Sequence, residues 1–198
     1  GPNGSGKSTL TRVLMGIHAA EGVVLLGGQE PAAWRREREG RLAYVPQVAP
    51  QLGAGVGEVV ASIEAIRALE PGRVAELAAR LGLDVDAVAG KPFRALSGGM
   101  KQKLLIALAL APESSLLILD EPTASLDAAA RQVFYALVGE RAGSATLLLC
   151  SHRLEEVRHL VDHVVGLEEG RLAFDGPVAA YLSARSHAVV EVRLRGSA

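Results

Sequence analysis

The chain has 198 residues, 49% of them hydrophobic, which is enough to bury one sizeable core with at most a small inserted subdomain. Its 21 basic and 22 acidic residues nearly cancel, and no basic cluster is interleaved with aromatic residues, so the composition argues against a nucleic-acid partner. The apolar run at 104–111 is far shorter than the roughly 18 residues that cross a bilayer. A single cysteine, Cys150, excludes an internal disulfide and is typical of a reducing compartment.

The first residues carry the pattern of a phosphate-binding loop, in which two glycines separated by four residues are followed by Lys and Ser. Apolar residues then recur at helical spacing from Leu10 to Ile17 and predict a helix whose N-terminus faces the same anion. We therefore predict a nucleoside triphosphate site, in which Lys7 contacts the β- and γ-phosphates and the Ser8 hydroxyl binds Mg²⁺. The alternative is a glycine-rich turn before an ordinary helix. The residues predicted to hold the triphosphate here are Gly1, Pro2, Asn3, Gly4, Ser5, Gly6, Lys7, Ser8 and Thr9.

A phosphate-binding loop normally follows a buried hydrophobic strand. No residue precedes Gly1 in this sequence, so we expect that strand, and whatever contacts the nucleotide base upstream, to lie outside it. The parallel sheet predicted below would then lack one central strand.

Two short strands are predicted between residues 22 and 47. The first is the apolar run 22–28, which glycines close. The second begins at residue 42 and is ended by Pro46, which leaves Gln47 at its exit in a loop rich in Gly and Pro. Between them, residues 31–41 combine Trp34 with arginines and glutamates. We interpret this segment as a solvated helix face with offsetting charges; a membrane-facing patch is the alternative.

Residues 57–90 follow a helical pattern that Glu, Pro and Gly interrupt at 70–72. Before the break, Val59, Ile63 and Ile66 are predicted to share one face of a helix. No heptad repeat is sustained through the segment, which excludes a long coiled-coil arm. The residues predicted to share a face after the break are Val74, Leu77, Ala78 and Leu81.

A second helix N-terminus suited to an anion is predicted at Leu96-Ser97-Gly98-Gly99, because an alanine- and leucine-rich helix follows and ends at Pro112. A plain N-cap with a glycine turn is the alternative.

Two adjacent carboxylates end the next predicted strand. Residues 116–119 form a continuous apolar run, as in a strand buried on both faces of a parallel sheet, and Asp120 and Glu121 follow at its carboxyl end, where ligands of such sheets bind. Asp120 fits the Mg²⁺ side of the site. Glu121 fits the group that orients and deprotonates the attacking water.

A further buried strand is predicted at 146–150, followed by His152, which we interpret as a contact of the γ-phosphate because it lies at the same sheet edge. The remaining predicted elements are a helix after Asp127 with Val133, Leu137 and Val138 inward, a helix at 154–161, a hairpin at 164–174 that turns near 169–170, a helix at 177–184 and a strand-like end at 189–194.

The order and spacing of these motifs resemble the ATP-binding subunit of ABC transporters over about residues 1–176. The resemblance implies a P-loop NTPase core with a mostly parallel sheet, an inserted helical subdomain at about 53–111 and a partial antiparallel β subdomain. The domain would cover 1–186 and leave 187–198 as a C-terminal tail. The resemblance is carried by the phosphate loop, Gln47, Leu96-Ser97-Gly98-Gly99, Asp120-Glu121-Pro122, Ser125-Leu126-Asp127 and His152.

The resemblance also implies ligands and partners: ATP with Mg²⁺, a second ATPase subunit stacked head to tail, and a transmembrane permease at the cytoplasmic face of the plasma membrane. Ser97, Gly98 and Gly99 would contact the partner's ATP, and Asp127 would contact the partner itself. Gln47 would bind the metal, take part in catalysis and link the nucleotide to the permease. Met100 stands where glutamine is commonest in the family, which leaves one side-chain contact in doubt.

Two function classes remain open from the sequence. One is an ATPase that powers transport through a separate permease, with an exporter type slightly favoured. The other is a soluble ABC ATPase of the DNA-repair or translation-factor type. The compact helical insert, the missing coiled coil and the lack of a second cassette favour transport, and the cargo is not specified.

Overall fold

The computed structural model describes residues 4–37, 42–141 and 143–185. Within them the chain is an α/β fold around a three-stranded parallel sheet in the order β1-β2-β3, formed by β1 (Leu42–Val45), β2 (Leu116–Asp120) and β3 (Thr146–Cys150). A separate antiparallel pair consists of β4 (His163–Glu168) and β5 (Arg171–Pro177). The predicted fold class, a parallel core with a small antiparallel unit, is confirmed.

The α-helices of the described ranges are α1 (Lys7–Leu14), α2 (Pro31–Glu37), α3 (Val56–Ile66), α4 (Arg73–Arg80), α5 (Gly98–Leu110), α6 (Ala128–Gly139), α7 (Leu154–Leu160) and α8 (Val178–Arg185). Short 3₁₀ turns lie at Asp86–Val88 and Phe93–Ala95. None of these helices is both long and apolar enough to cross a bilayer.

Strand β2 is the centre of the fold, and all five of its residues are buried, as the sequence predicts. Leu117 and Leu119 belong to the main core, which continues into α4 and α5, whereas Leu116 and Ile118 pack with Trp34 on the opposite face. Burying each of these side chains contributes roughly 1.5–3 kcal/mol. The sheet therefore holds the carboxyl end of β2, and the residues that follow it, in a fixed place.

Strand β3 is less buried than predicted, because Thr146 is exposed and residues 147–149 are only half-buried. Its position in the sheet explains the difference. It lies at the edge of the described sheet, and a groove of about 710 Å³ separates it from β4.

The strand predicted at 22–28 does not form. Leu26 alone pairs, and it pairs back to Gln29 across a turn in which Gly27 and Gly28 have φ of +57° and +83°. Val23 is 85% exposed and so has no neighbouring strand to cover it in the described part of the chain. A strand needs a partner for its backbone groups, and this apolar run lacks one here.

Helix α1 is shorter than predicted. It ends at Leu14 because Gly16 turns the chain with φ of +67°, which leaves Ile17 outside the helix and 60% exposed. A Cβ at Gly16 would lie 3.0 Å from the backbone nitrogen of Ala32, so the glycine also permits the close approach of α2. Thr11 is the buried residue of this helix.

The membrane-facing alternative for residues 31–41 is wrong for Trp34, which is 7% exposed and packs under the sheet. Arg35 and Arg36 are exposed, as the solvated-face interpretation predicts. Arg38, Glu39 and Arg41 lie outside the described residues.

Helix α3 buries Val56 and Val60 most deeply; of the three residues predicted to share a face, Val59 and Ile63 are half-buried and Ile66 is exposed. Val56 and Val60 are 0% and 7% exposed, whereas Ile66 is 75% exposed. The helix begins at Val56, whose N–H donates to the carbonyl of Lys91 at 2.9 Å, and this bond fixes which side faces the core.

The predictions for α4, for the start of α6 and for the hairpin hold. The four residues predicted to share a face lie on α4 and at its C-cap, Leu81, and each is 2% exposed or less. Helix α6 starts after Asp127, and the hairpin turns at Glu169 and Gly170. The strand-like end at 189–194 and the tail at 187–198 lie outside the described residues.

Candidate functional site

The described part of the phosphate loop has the backbone shape that its glycines predict. Gly4 and Gly6 have φ of +81° and +99°, and Gly6 precedes the first residue of α1. Ser5, 2% exposed, accepts a hydrogen bond at its carbonyl from the N–H of Gly170, at 3.2 Å. A Cβ on Gly6 would lie 3.7 Å from the Cα of Gly170. The β4–β5 turn thus holds the loop in place. Gly1, Pro2 and Asn3 lie outside the described residues.

Lys7 and Ser8 open helix α1, where unpaired N–H groups and the helix dipole favour an anion. Lys7 Nζ lies 3.4 Å from Ser5 Oγ, at the inner side of the loop. Thr9 is exposed. Thr11, which the sequence did not single out, donates from Oγ1 to the Lys7 carbonyl at 2.9 Å and lies 3.4 Å from Cys150 Sγ. The helix is therefore attached to the end of β3.

Ser8 and Asp120 meet directly, since Ser8 Oγ donates to Asp120 Oδ2 at 2.9 Å. Asp120 is only 2% exposed, so its carboxylate is held away from bulk water. A hydroxyl and a carboxylate oxygen side by side are ligands of the kind that Mg²⁺ takes. No group of three or more His, Cys, Asp or Glu side chains suited to a metal occurs among the described residues. A magnesium ion here would complete its shell with phosphate and water oxygens, as is usual for this ion.

Glu121 and His152 form the second polar pair of the site. His152 Nδ1 and Glu121 Oε1 are 2.8 Å apart, and Glu121 is 5% exposed while the His152 side chain is 58% exposed. The other carboxylate oxygen, Glu121 Oε2, is buried without a hydrogen-bond partner in the described part of the chain. Glu121 also has φ of +48°, an unfavourable backbone for a residue with a side chain. Its N–H donates to the carbonyl of Cys150 at 2.8 Å, which extends the pairing of β2 with β3.

Gln47 follows β1 by two residues and is exposed. Because Val45 pairs with Leu119 in the parallel sheet, Gln47 lies at the same edge as Asp120 and Glu121. Gln47 is therefore placed at the edge that carries the site, but the hydrogen bond of Asp120 is with Ser8.

The residues 97–99 form the start of α5, apart from the phosphate loop. Ser97 is exposed and caps its own helix, since its Oγ accepts from the N–H of Met100 at 3.3 Å. Gly98 is exposed too. A Cβ on Gly99 would lie 3.1 Å from the carbonyl oxygen of Ser125, so glycine lets α5 approach the chain that follows Glu121.

Asp127 serves two contacts within the chain. It is the N-cap of α6, accepting from the N–H of Ala130 at 2.8 Å, and its Oδ2 lies 3.2 Å from Lys103 Nζ. The Ala130 N–H, and then Lys103, lower the pKa of the Asp127 carboxyl. The carboxylate is 61% exposed and also faces solvent.

Sequence reasoning missed three buried polar residues near the site. Gln102 Nε2 donates to the carbonyl of Pro122 at 2.8 Å. Thr123 Oγ1 donates to Glu156 Oε1, and both side chains are fully buried. Gln102 was visible as an amide within an apolar helix, but nothing in the sequence distinguishes Glu156 from its exposed neighbour Glu155.

Comparison with known proteins gives one family. The family model described as ABC transporter matches residues 1–124. The chain is 36% identical to the nickel import ATP-binding protein NikO of Rhodobacter capsulatus, over 92% of this chain and 78% of that protein. It is 35% identical to the Nod factor export ATP-binding protein I of Burkholderia orbicola, over 89% of this chain and 60% of that protein.

A solved structure agrees with the sequence relatives. The fold is similar to that of a protein described as the ATP binding subunit of an ABC transporter, with a TM-score of 0.78 and 25% identity. The match covers 93% of this chain and 80% of that chain.

Proposed function

This chain belongs to the ABC transporter family as an ATP-binding subunit and an ATPase, and on that premise we propose that it hydrolyses Mg-ATP to drive transport through a separate permease. The proposal rests on two polar pairs that lie at the same edge of the sheet. Ser8 contacts Asp120, Glu121 contacts His152, and helix α1 points its N-terminus at the same place.

The triphosphate would be held by the loop and by Lys7. Backbone N–H groups of the loop and the start of α1 would donate to phosphate oxygens, and Lys7 would add a positive charge at the β- and γ-phosphates. Ser8, Asp120 and Gln47 are the residues that would hold Mg²⁺, which when bound neutralises charge on the phosphate oxygens.

Glu121 is the proposed base. Its carboxylate would accept a proton from water. One of its oxygens, Oε2, has no hydrogen-bond partner in the described part of the chain. As the proton moves to Glu121, the water oxygen bonds to the γ-phosphorus and the bond to the ADP oxygen breaks. His152, held by Glu121 Oε1, would donate to the γ-phosphate.

The second part of the proposal concerns partners. Ser97, Gly98 and Gly99 would donate to the ATP bound by a second copy of this chain stacked head to tail, and Asp127 would contact that copy. The permease and a position at the cytoplasmic face of the membrane are proposed from the same family. The named relatives include an import and an export protein, so the preference for export rests on the sequence alone and the cargo stays open.

Glu121→Gln tests the chemical role. The change keeps size and hydrogen bonding but removes the ability to take the proton, so we expect kcat to fall by roughly 10² to 10⁴ while ATP still binds. Asp120→Asn should instead weaken the Mg²⁺-dependent binding of ATP. The measurement is steady-state ATPase activity together with nucleotide binding at varied Mg²⁺, on the full-length protein.

Glu113→Gln is the matched control, because Glu113 is exposed and lies before β2. It should leave both measurements unchanged. If Glu121→Gln loses binding and Asp120→Asn loses only turnover, the two roles are reversed.

A further inference from the structure

The loop that follows β2, residues 122–127, is held by buried side chains from two helices. We call it the β2 loop. From α5, Gln102 donates to the carbonyl of Pro122 at 2.8 Å, and Gln102 is 5% exposed. From α7, Glu156 accepts a hydrogen bond from the Thr123 hydroxyl, and both side chains are 0% exposed. The loop is therefore fixed on two sides by polar contacts from which water is excluded.

Glu156 is an unusual residue to find fully buried. An ionisable side chain is costly to remove from water, and a well-packed apolar residue would often serve stability as well or better. Within the described residues it is paired with Arg153, whose Nε lies 3.9 Å from Oε1, and its other oxygen, Oε2, has no hydrogen-bond partner there. Burial first, and then the charge of Glu156, raise the pKa of Tyr135 on α6. Packing alone does not explain a carboxylate at this position.

The Thr123–Glu156 contact lies close in the chain to both Glu121 and His152. Glu121 has φ of +48°, and a backbone in that region persists only where its surroundings hold it. The Cys150 carbonyl holds the N–H of Glu121, and Thr123 lies two residues beyond it. On the other side, α7 begins two residues after His152. The hydrogen bond between Thr123 and Glu156 therefore connects the loop that follows Glu121 to the helix that follows His152.

We propose that Glu156 is a positioning residue for ATP hydrolysis: through Thr123 it holds the β2 loop against α7 and so keeps the Glu121 carboxylate at hydrogen-bonding distance from His152. This inference rests on the proposed roles of Glu121 and His152. Glu156 touches neither of them and acts through the loop and the helix. Its loss should disturb the arrangement of the reacting groups without removing any group that binds ATP.

Thr123→Val is the most direct test, because valine keeps the shape of threonine and removes only the hydroxyl donor. In the full-length protein we expect kcat to fall about 10- to 100-fold, since small displacements of catalytic groups are costly. KM for ATP, nucleotide affinity and the melting temperature should change little. Thr123→Ser restores the hydroxyl and should recover most of the lost kcat.

Glu156→Leu gives a second, independent lesion of the same contact, and it carries the test if the valine variant fails to fold. Glu156→Gln keeps an oxygen that accepts from Thr123 and should retain more activity than Glu156→Leu. The kcat of the double variant Thr123→Val with Glu156→Leu should be no lower than that of the less active single variant, because both changes remove the same contact. Glu155→Gln, one residue away on the exposed side of α7, is the control and should behave as wild type.

A Thr123→Val protein with kcat within twofold of wild type would overturn the proposal. So would a loss of kcat that follows a loss of folded protein and is not recovered by Thr123→Ser. Glu121→Gln is measured alongside: if it remains active, the proposed function fails, whereas if it is inactive and Thr123→Val is normal, only the positioning role fails.

Discussion

The two groups of residues assigned to the nucleotide are constructed in opposite ways. At the sheet edge, Asp120 and Glu121 are 2% and 5% exposed, and they bond to Ser8 and His152. At the start of α5, Ser97 and Gly98 are exposed, and the Ser97 side chain caps its own helix. The carboxylates of the first group are enclosed by the fold, whereas the second group faces outward. We call the first, together with Lys7 of the adjoining loop, the enclosed group, and the second the outward-facing group.

The difference indicates what each group needs. Each buried carboxylate at the sheet edge has one oxygen that is hydrogen-bonded within the chain, Asp120 to Ser8 and Glu121 to His152, so the edge is organised before any ligand arrives. The start of α5 is positioned instead by contacts with the loop after β2. Gly99 approaches Ser125 closely, and Lys103 pairs with Asp127. Ser97 and Gly98 are exposed, and the N–H groups at the start of a helix are suited to an anionic ligand, here one carried by another molecule. We attribute that role to a second copy of the chain.

Lys7→Ala should have the largest effect of the changes made to compare the two groups. It removes a charge-assisted contact from the enclosed group, so we expect ATP affinity and hydrolysis to fall by at least about tenfold. Lys91→Ala removes the same charge from an exposed position and should leave both unchanged. Binding of ATP measured by titration, with ATPase activity beside it, checks the prediction. Equal activities for the two variants would exclude Lys7 from the site.

A pair of glycine changes tests how the outward-facing group is held. Gly99→Ala places a Cβ 3.1 Å from a backbone oxygen, so it should lower the free energy of unfolding by about 1–3 kcal/mol. Gly98→Ala meets only the Ser125 side chain, at the ordinary distance of 3.8 Å, and should be neutral or slightly stabilising. Denaturant unfolding of both variants gives the comparison. Identical midpoints would show that close packing on Ser125 does not position α5.

The smallest predicted effect is on the pH dependence of stability. Since the Ala130 N–H and Lys103 lower the pKa of Asp127 in the folded state, its ionised form stabilises the fold above its ordinary pKa, and that contribution is lost as the pH falls below about 4. Asp127→Asn keeps a capping oxygen but does not titrate. The melting temperature of wild type should therefore fall more steeply than that of Asp127→Asn between about pH 5 and 3. Parallel curves would mean that the Asp127 contacts do not contribute.

Elements defined by short-range patterns were predictable from the sequence. The continuous apolar run of β2 indicated a central strand, and the motif residues after it indicated a site at its carboxyl end. The break at 70–72 and the turn at Glu169 and Gly170 were also visible as local chemistry. In each case the residues that determine the structure are neighbours in the chain.

The features that were not predicted depend on contacts between residues that are far apart in the chain. The run 22–28 has the composition of a strand but no partner strand among the described residues. The apolar residues of β3 did not show that this strand lies at the edge of the described sheet. Helix α3 is bonded at its start to a residue 35 positions away, since the Val56 N–H donates to the Lys91 carbonyl, and the spacing of apolar residues does not reveal such a contact. The Thr123–Glu156 contact joins residues 33 positions apart for the same reason.

The composite site is tested most directly by mixing two inactive full-length variants. Lys7→Ala damages the enclosed group and Ser97→Arg damages the outward-facing group, so each homodimer should be inactive. In a mixed dimer, one site carries both lesions and the other carries none. With random pairing about half the dimers are mixed, and each has one intact site, so activity should return to at most about a quarter of wild type.

The measurement is ATP hydrolysis against the mixing ratio of the two variants, with subunit exchange verified in the same samples. For a composite site, hydrolysis should be greatest near equal amounts and absent at either end. If the site is composite, Ser97→Arg alone cannot be active. A Ser97→Arg homodimer that hydrolyses ATP at the wild-type rate would contradict it, because the enclosed group would then be a complete active site by itself.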